Sequence, residues 1–311
     1  MTKYLQLLTA VVVSILAFGC VKNTDEFTRY YKISSFHKST NSNYLVSNFD
    51  SSTDFILSRD RIRIEVPKNS LMYRGGQLAS GEITLKYIIL EDKGDFINYN
   101  LNTLGENGLI DAHAIYIVEF YQDGELLLKN PNAEELINIY VPRKLSLAGG
   151  NSLYSLSDGG WSEYANTTLE TATYNTTDNG ETVTLEGIVV NNLSSNWTAV
   201  GKSLGTSDGR YEICAKLPED HNNVNSVVYS TLEKHTSLIP LSYNTEKFIF
   251  CGEFVGVASG QGMKIIAISN RGNDDSYNFG IKSAILNSSE EINISLQSKT
   301  ALEIEQELEG L

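Results

Sequence analysis

Gly81-Glu82-Ile83-Thr84-Leu85-Lys86-Tyr87 alternates apolar and polar side chains without a break. A period of two sends successive residues to opposite faces of an extended backbone, so this stretch reads as a half-buried β-strand. Ile62-Arg63-Ile64-Glu65-Val66, Ile137-Asn138-Ile139-Tyr140-Val141 and Glu181-Thr182-Val183-Thr184-Leu185 repeat the pattern. Between them lie Tyr73-Arg74-Gly75-Gly76, Gln122-Asp123-Gly124-Glu125, Ser157-Asp158-Gly159-Gly160 and Thr177-Asp178-Asn179-Gly180. In such turns glycine supplies positive φ while Asp or Asn stabilises the bend. Short alternating strands punctuated this way imply an all-β protein of sandwich type.

Working outward, Gly201-Lys202-Ser203-Leu204-Gly205-Thr206-Ser207-Asp208-Gly209 is polar and glycine-rich and reads as an interdomain linker, residues 201–209. The chain then divides into two tandem antiparallel β-sandwich domains, residues 44–200 and 210–298. The second has candidate strands at Tyr211 to Leu217, Ser226 to Tyr229, Lys247 to Phe254, Met263 to Ser269, Ile281 to Leu286 and Ile292 to Leu296. Helical signal gathers in residues 299–311, where Ala301, Ile304, Leu308 and Leu311 share a face and Thr300 and Glu303 have the spacing of a capping box. A frayed acidic tail is the competing reading.

The other end of the chain carries an address. Lys3, an apolar run from Leu7 to Phe18, and Leu16-Ala17-Phe18-Gly19-Cys20 read as a bacterial lipoprotein signal peptide over residues 1–19, with Cys20 the acceptor of lipid. The run falls short of the roughly 20 apolar residues that cross a bilayer. Phe18 is bulky where a lipobox usually has a small residue, and a plain secretory signal is the alternative. Residues 20–43, rich in Ser, Thr, Asn and Lys, follow as lipidated cysteine and tether, with Tyr30, Tyr31, Ile33 and Phe36 available to pack. The expected location is the cell envelope, lipid-anchored at the outer membrane, its facing left open. The membrane, reached through Cys20, and an envelope protein are the expected partners.

Composition narrows the function classes. With 41% hydrophobic residues the chain can bury a core, and its net charge of −14 opposes a nucleic-acid partner, whose phosphates demand a basic face. If Cys20 carries lipid, Cys214 and Cys251 remain, either as a disulfide in an oxidising compartment or as two thiols. They lack the ligand count zinc prefers, and His37, His113, His221 and His235 are too scattered for a metal pair. Asn273-Asp274-Asp275 and Asp220-His221-Asn222-Asn223 read as polar turns rather than calcium loops. No cofactor is implied.

Two chemical motifs need weighing. Gly205-Thr206-Ser207-Asp208-Gly209 has the spacing of a nucleophile elbow, but that geometry needs a strand before it and a helix after it, and here a strand follows. Trp161, Tyr164, Trp197 and Tyr154 are candidates for stacking sugar rings, with Trp161 and Tyr164 the favoured glycan contacts. Their alternation within a hairpin equally suits core packing.

Ile64-Glu65-Val66-Pro67-Lys68-Asn69-Ser70-Leu71, Ser80-Gly81-Glu82-Ile83-Thr84-Leu85, Tyr116 to Tyr121 with Asp123-Gly124-Glu125, and Ile139-Tyr140-Val141-Pro142 before Leu153-Tyr154 and Trp161 together resemble the ZU-type β-sandwich. The likeness spans roughly residues 50 to 200 and extends to surface lipoproteins of Bacteroidota-type bacteria. It implies a stalk or assembly unit, and no catalytic residue transfers. The His-Phe-Ser turn at which some relatives cleave themselves is missing, since His113 precedes Ala114 and Ile115. The combined expectation is a non-catalytic structural or protein-interaction lipoprotein. A glycan-binding accessory lipoprotein is the first alternative and a hydrolase with an unrecognised site the second.

Overall fold

The computed structural model describes residues 33, 36–38, 40–144, 150–157, 160–165, 169–191, 193–205, 209–273, 276–287 and 290–311. The signal peptide, Cys20, Tyr30, Tyr31 and Ser207 lie outside them. The described chain is almost wholly β, in three large sheets and one small pair.

The first sheet runs β1 (Leu45–Asp50), β5 (Glu82–Leu90), β7 (Gly108–Gln122), β15 (Thr198–Ser203), β11 (Ser152–Ser157), β12 (Gly160–Glu163) and β6 (Leu104–Gly105), with β8 (Glu125–Leu126) folded back on β7. The second runs β13 (Glu170–Asp178), β14 (Glu181–Val190), β10 (Asn138–Pro142), β3 (Ile62–Val66) and β2 (Phe55–Arg59). The third runs β22 (Glu290–Asn293), β16 (Arg210–Lys216), β19 (Ile249–Val255), β18 (Ile239–Asn244), β17 (Ser226–Leu232), β20 (Gly262–Asn273), β21 (Ser276–Ile285) and β23 (Gln297–Lys299). β4 (Leu71–Met72) pairs β9 (Leu128–Lys129). Two short α-helices, α1 (Lys93–Asn98) and α2 (Ala301–Leu308), and a 3-10 turn over Thr40–Ser42 complete the described elements.

The first sheet is the middle layer. Along β7, Ala114, Tyr116, Val118 and Phe120 join an apolar cluster with Ile64, Ile139 and Ile188 of the second sheet. Ile115 and Ile117 join another with Tyr229, Ile266, Ile268 and Phe279 of the third sheet and with Phe96, Ile304 and Leu308 of the helices. A strand covered on both faces needs apolar residues at consecutive positions, which accounts for Ala114-Ile115-Tyr116-Ile117-Val118. α2 forms with the Thr300–Glu303 capping box in place and sends Ile304 and Leu308 into this shared layer.

The third sheet curls on itself. β22 and β23 stand at opposite ends of its strand order, yet only residues 294–296 separate them in the chain. The four Cα steps from Asn293 to Gln297 reach about 14 Å at most, so the two edges must come together in a barrel-like wall. Phe250, Phe254, Met263 and Ile265 fill the inside, and Leu109 of β7 joins them from the first sheet.

The expected linker requires correction at its start. Gly201-Lys202-Ser203 end β15, inside the first sheet, where the β15–β7 register shifts between Val200 and Gly201. A Cβ at Gly201 would lie 2.5 Å from the Asp111 carbonyl oxygen, so this glycine answers close packing at a bulge, not flexibility. Among the described residues no sheet crosses this boundary, but the shared apolar layer does. β18 was missing from the expected strands. Its Pro240 lacks an N–H, and the pairing of β18 with β19 is confined to residues 242–244, clear of the proline.

Candidate functional site

A polar, largely buried region lies where residues 233–238, the β17–β18 connection, meet the first sheet. Asp111, 2% exposed, accepts from Thr236 N–H through Oδ1 at 2.7 Å and pairs with His235 Nδ1 through Oδ2. Lys144 Nζ donates to Thr236 Oγ1 at 2.9 Å, to Ala112 O at 3.1 Å and to Glu91 O. Lys93 Nζ donates to Leu232 O at 2.7 Å, and Thr103 exchanges hydrogen bonds with Leu238. Burial draws both ammonium groups down to about 8, and burial also pushes the Glu91 carboxyl up. These partners satisfy groups that would otherwise be left dry between the layers, so the region works as a clamp.

Each histidine finds a separate partner. His113 Nδ1 accepts from Lys144 N–H at 2.9 Å while Nε2 faces Asn151 Oδ1 at 3.1 Å. His37 Nε2 meets Tyr229 OH at 3.1 Å, and burial lowers its pKa to about 4. His221 Nδ1 meets Ser269 Oγ at 2.7 Å, but Ser269 is fully buried. A serine relay needs acid, imidazole and an approachable hydroxyl at one place. Ser269, the serine that His221 meets, is fully buried and so offers no approachable hydroxyl.

A surface of different character lies on the second sheet. Two adjoining depressions of about 440 and 850 Å³ share Asp54, Pro67 and Glu135. In register, Ile56 of the outermost strand β2 opposes Glu65 of β3, which opposes Asn138 of β10, so one row of side chains crosses the sheet face. Ile56, Leu78 and Leu136 line the groove at 52, 45 and 44% exposure. Lys68 N–H donates to Asp54 Oδ1, and Asn130 Nδ2 donates to Asn69 O at 2.8 Å, which fixes the loops at its end. Burial favours the neutral form of Glu65, but hydrogen bonds from Arg63, Tyr140 and Asn138 outweigh it and hold the carboxyl below its usual range. Glu134 and Glu135 sit exposed on the rim and, among the described residues, form no ion pair. The result is a pair of mixed depressions in which exposed apolar side chains alternate with polar ones and carboxylates stand on the border.

Among the residues singled out from sequence, Cys214 and Cys251 occupy paired positions of β16 and β19, with Cα atoms 4.1 Å apart, and their sulfurs are bonded. Glu212 approaches them, but bonded sulfurs offer no thiolate to a metal. Trp161 is corrected as a glycan contact. It is 1% exposed and donates its ring N–H to Asn102 O at 2.6 Å, inside the shared layer. Tyr164 is half-buried against the core between the first and second sheets, and Trp197 packs edge-on to Tyr99. The sequence does not display the groove because its lining is scattered along the chain: Ile56 and Leu136 reach the first depression beside the β2–β3–β10 pairing, and Leu78, bridged to Met72, reaches the adjoining one. Among known proteins, no family model and no curated protein matches this chain.

Proposed function

We propose that the protein is an envelope lipoprotein, held to a membrane by lipid on Cys20, that acts as a non-catalytic protein-interaction module. The observation that carries this reading is the pair of adjoining depressions with Ile56, Leu136 and Leu78 exposed on their walls, because exposed large apolar side chains interleaved with polar and charged groups favour a specific protein contact. Its acidic rim favours a partner segment with basic residues. The lipobox supplies the address, a bonded Cys214–Cys251 pair suits an oxidising compartment, and the ZU-type likeness of residues 50 to 200 agrees with an assembly role.

A photo-crosslinking side chain placed at Ile56 or Leu136 in cells tests the reading. Both positions should yield the same discrete adduct, and exposed Thr173 on β13 should not. Loss of membrane attachment in Cys20→Ser should abolish that adduct. Equal labelling from all three positions, or binding of the purified protein to a glycan array with no protein adduct, would turn the reading toward the glycan alternative.

A further inference from the structure

The barrel-like third sheet has two dissimilar ends. One abuts the first sheet, where a Cβ on Gly256 would overlap Gly205 O at 1.8 Å and Leu109 joins the barrel interior. The other carries the β18–β19 hairpin. Register locates it: Ser226 pairs with Ser269, Ser269 with Asn278, and Tyr243 with Phe250, one step before the closing Asn244–Ile249 pair. The turn before β17, the hairpin tip and the start of β21 therefore share one end.

At that tip stands Phe248, 70% exposed and at φ +56°. The turn is closed by Phe248 N–H to Asn244 O at 2.8 Å and by Glu246 and Lys247 N–H to Asn244 Oδ1, both at 3.0 Å. Its last position asks for the left-handed conformation, which glycine or asparagine adopts readily and a bulky aromatic does not. A large apolar ring thus occupies both a strained backbone site and an exposed one. Val224, 52% exposed, rises from the neighbouring turn at the same end.

The chain leading to the anchor arrives on this side. Phe36 packs edge-on to Tyr277, the second residue of β21, with centroids 5.3 Å apart, and Lys38 pairs with Glu305 at 3.1 Å. From Ile33 back to Cys20 the backbone can span up to about 45 Å. We infer that this end of the barrel faces the membrane and that Phe248 dips into the lipid headgroup region. The inference rests on the lipid anchor of the proposed function. Glu246 and Lys247 beside the ring cancel in charge, and Glu219 and Asp220 of the turn before β17 add exposed carboxylates at the same end, so the ring makes the contact without attraction to anionic lipid. One phenyl ring is worth roughly ten- to a hundredfold in affinity, too little to hold a free protein but enough for a tethered one at high local concentration.

With Cys214 and Cys251 bonded, Cys20 of protein produced without acylation offers its thiol for coupling to maleimide lipid in vesicles of phosphatidylethanolamine and phosphatidylglycerol. In Phe248→Trp, brominated acyl chains should quench the new fluorescence at least twofold more than in Leu302→Trp, whose site is exposed on α2. Amides of residues 244–249 should gain exchange protection on coupling in the wild type and lose that gain in Phe248→Gly. Quenching equal at the two sites, with protection unchanged on coupling, would overturn the inference. Labelling of wild type but not Cys20→Ser by an alkyne fatty acid in cells tests the anchor separately. Labelling without quenching therefore sinks the Phe248 contact alone, and quenching without labelling sinks the lipid anchor alone.

Discussion

Lys144 Nζ donates to three acceptors, Glu91 O, Ala112 O and Thr236 Oγ1, and methionine in its place would leave all three without this donor, the buried Ala112 O above all. Lys144→Met should lower stability in urea by about 3 kcal/mol, the scale for stripping a charged donor from a buried network. Asp111→Asn, which keeps an oxygen for Thr236 N–H, should lose less. Phe248→Gly should act in the opposite direction. Relief of the left-handed strain should raise stability by about 1 kcal/mol, read as an upward shift in melting temperature. None of the three roles was legible in the sequence, because Lys144, Asp111 and Thr236 are strung over more than a hundred residues and Phe248 simply looked like strand. Trp161 misled for a related reason: an indole in a hairpin can face either way, and only the Asn102 carbonyl that takes its N–H decides the question.

Where one face of a strand is wet, the alternation of residues reports the element, and β3, β5, β10 and β14 were all visible for that reason. β7 hides its role, since both of its faces are dry and a continuous apolar run carries no period. The middle-layer position of the first sheet, which makes the two halves share a core, was invisible with it. α2 was legible because the capping box and the apolar stripe point to the same helix. Thr300→Ala removes the cap and should cost about 1 kcal/mol of stability in denaturant unfolding. Gly94→Ala should cost more, since its Cβ would meet the Leu308 carbonyl oxygen at 2.6 Å and force α1 from α2.

Across the whole molecule the clamp and the shared layer join the halves, so heat or urea should unfold them in one transition. Titration has a defined sign. Lys93 and Lys144 shed protons near 8 in the fold but near 10.4 when unfolded, so the unfolded chain binds more protons between those values and stability rises from pH 8 toward 10. On the acid side two groups oppose each other. Burial, then the neighbouring Asp92 charge, pushes Asp95 up to about 6, so its contribution falls as pH climbs from 4 to 6. Burial holds His37 near 4, so its contribution climbs over the same range. Asp95→Asn should unmask that climb in a series of urea midpoints across pH 4 to 6. Cys214 and Cys251 enclose a loop of sequence separation 37, and replacing both with alanine should cost about 4 kcal/mol. The shared layer has a last consequence, in time. A chain emerging amino end first presents Ile115 and Ile117 long before Ile268, Phe279, Ile304 and Leu308 arrive to cover them. At about 5 to 20 residues per second that delay is on the order of 10 to 40 s. During it half of the first sheet is an uncovered apolar wall, the kind of surface that a chaperone holds while the remainder of the chain is delivered.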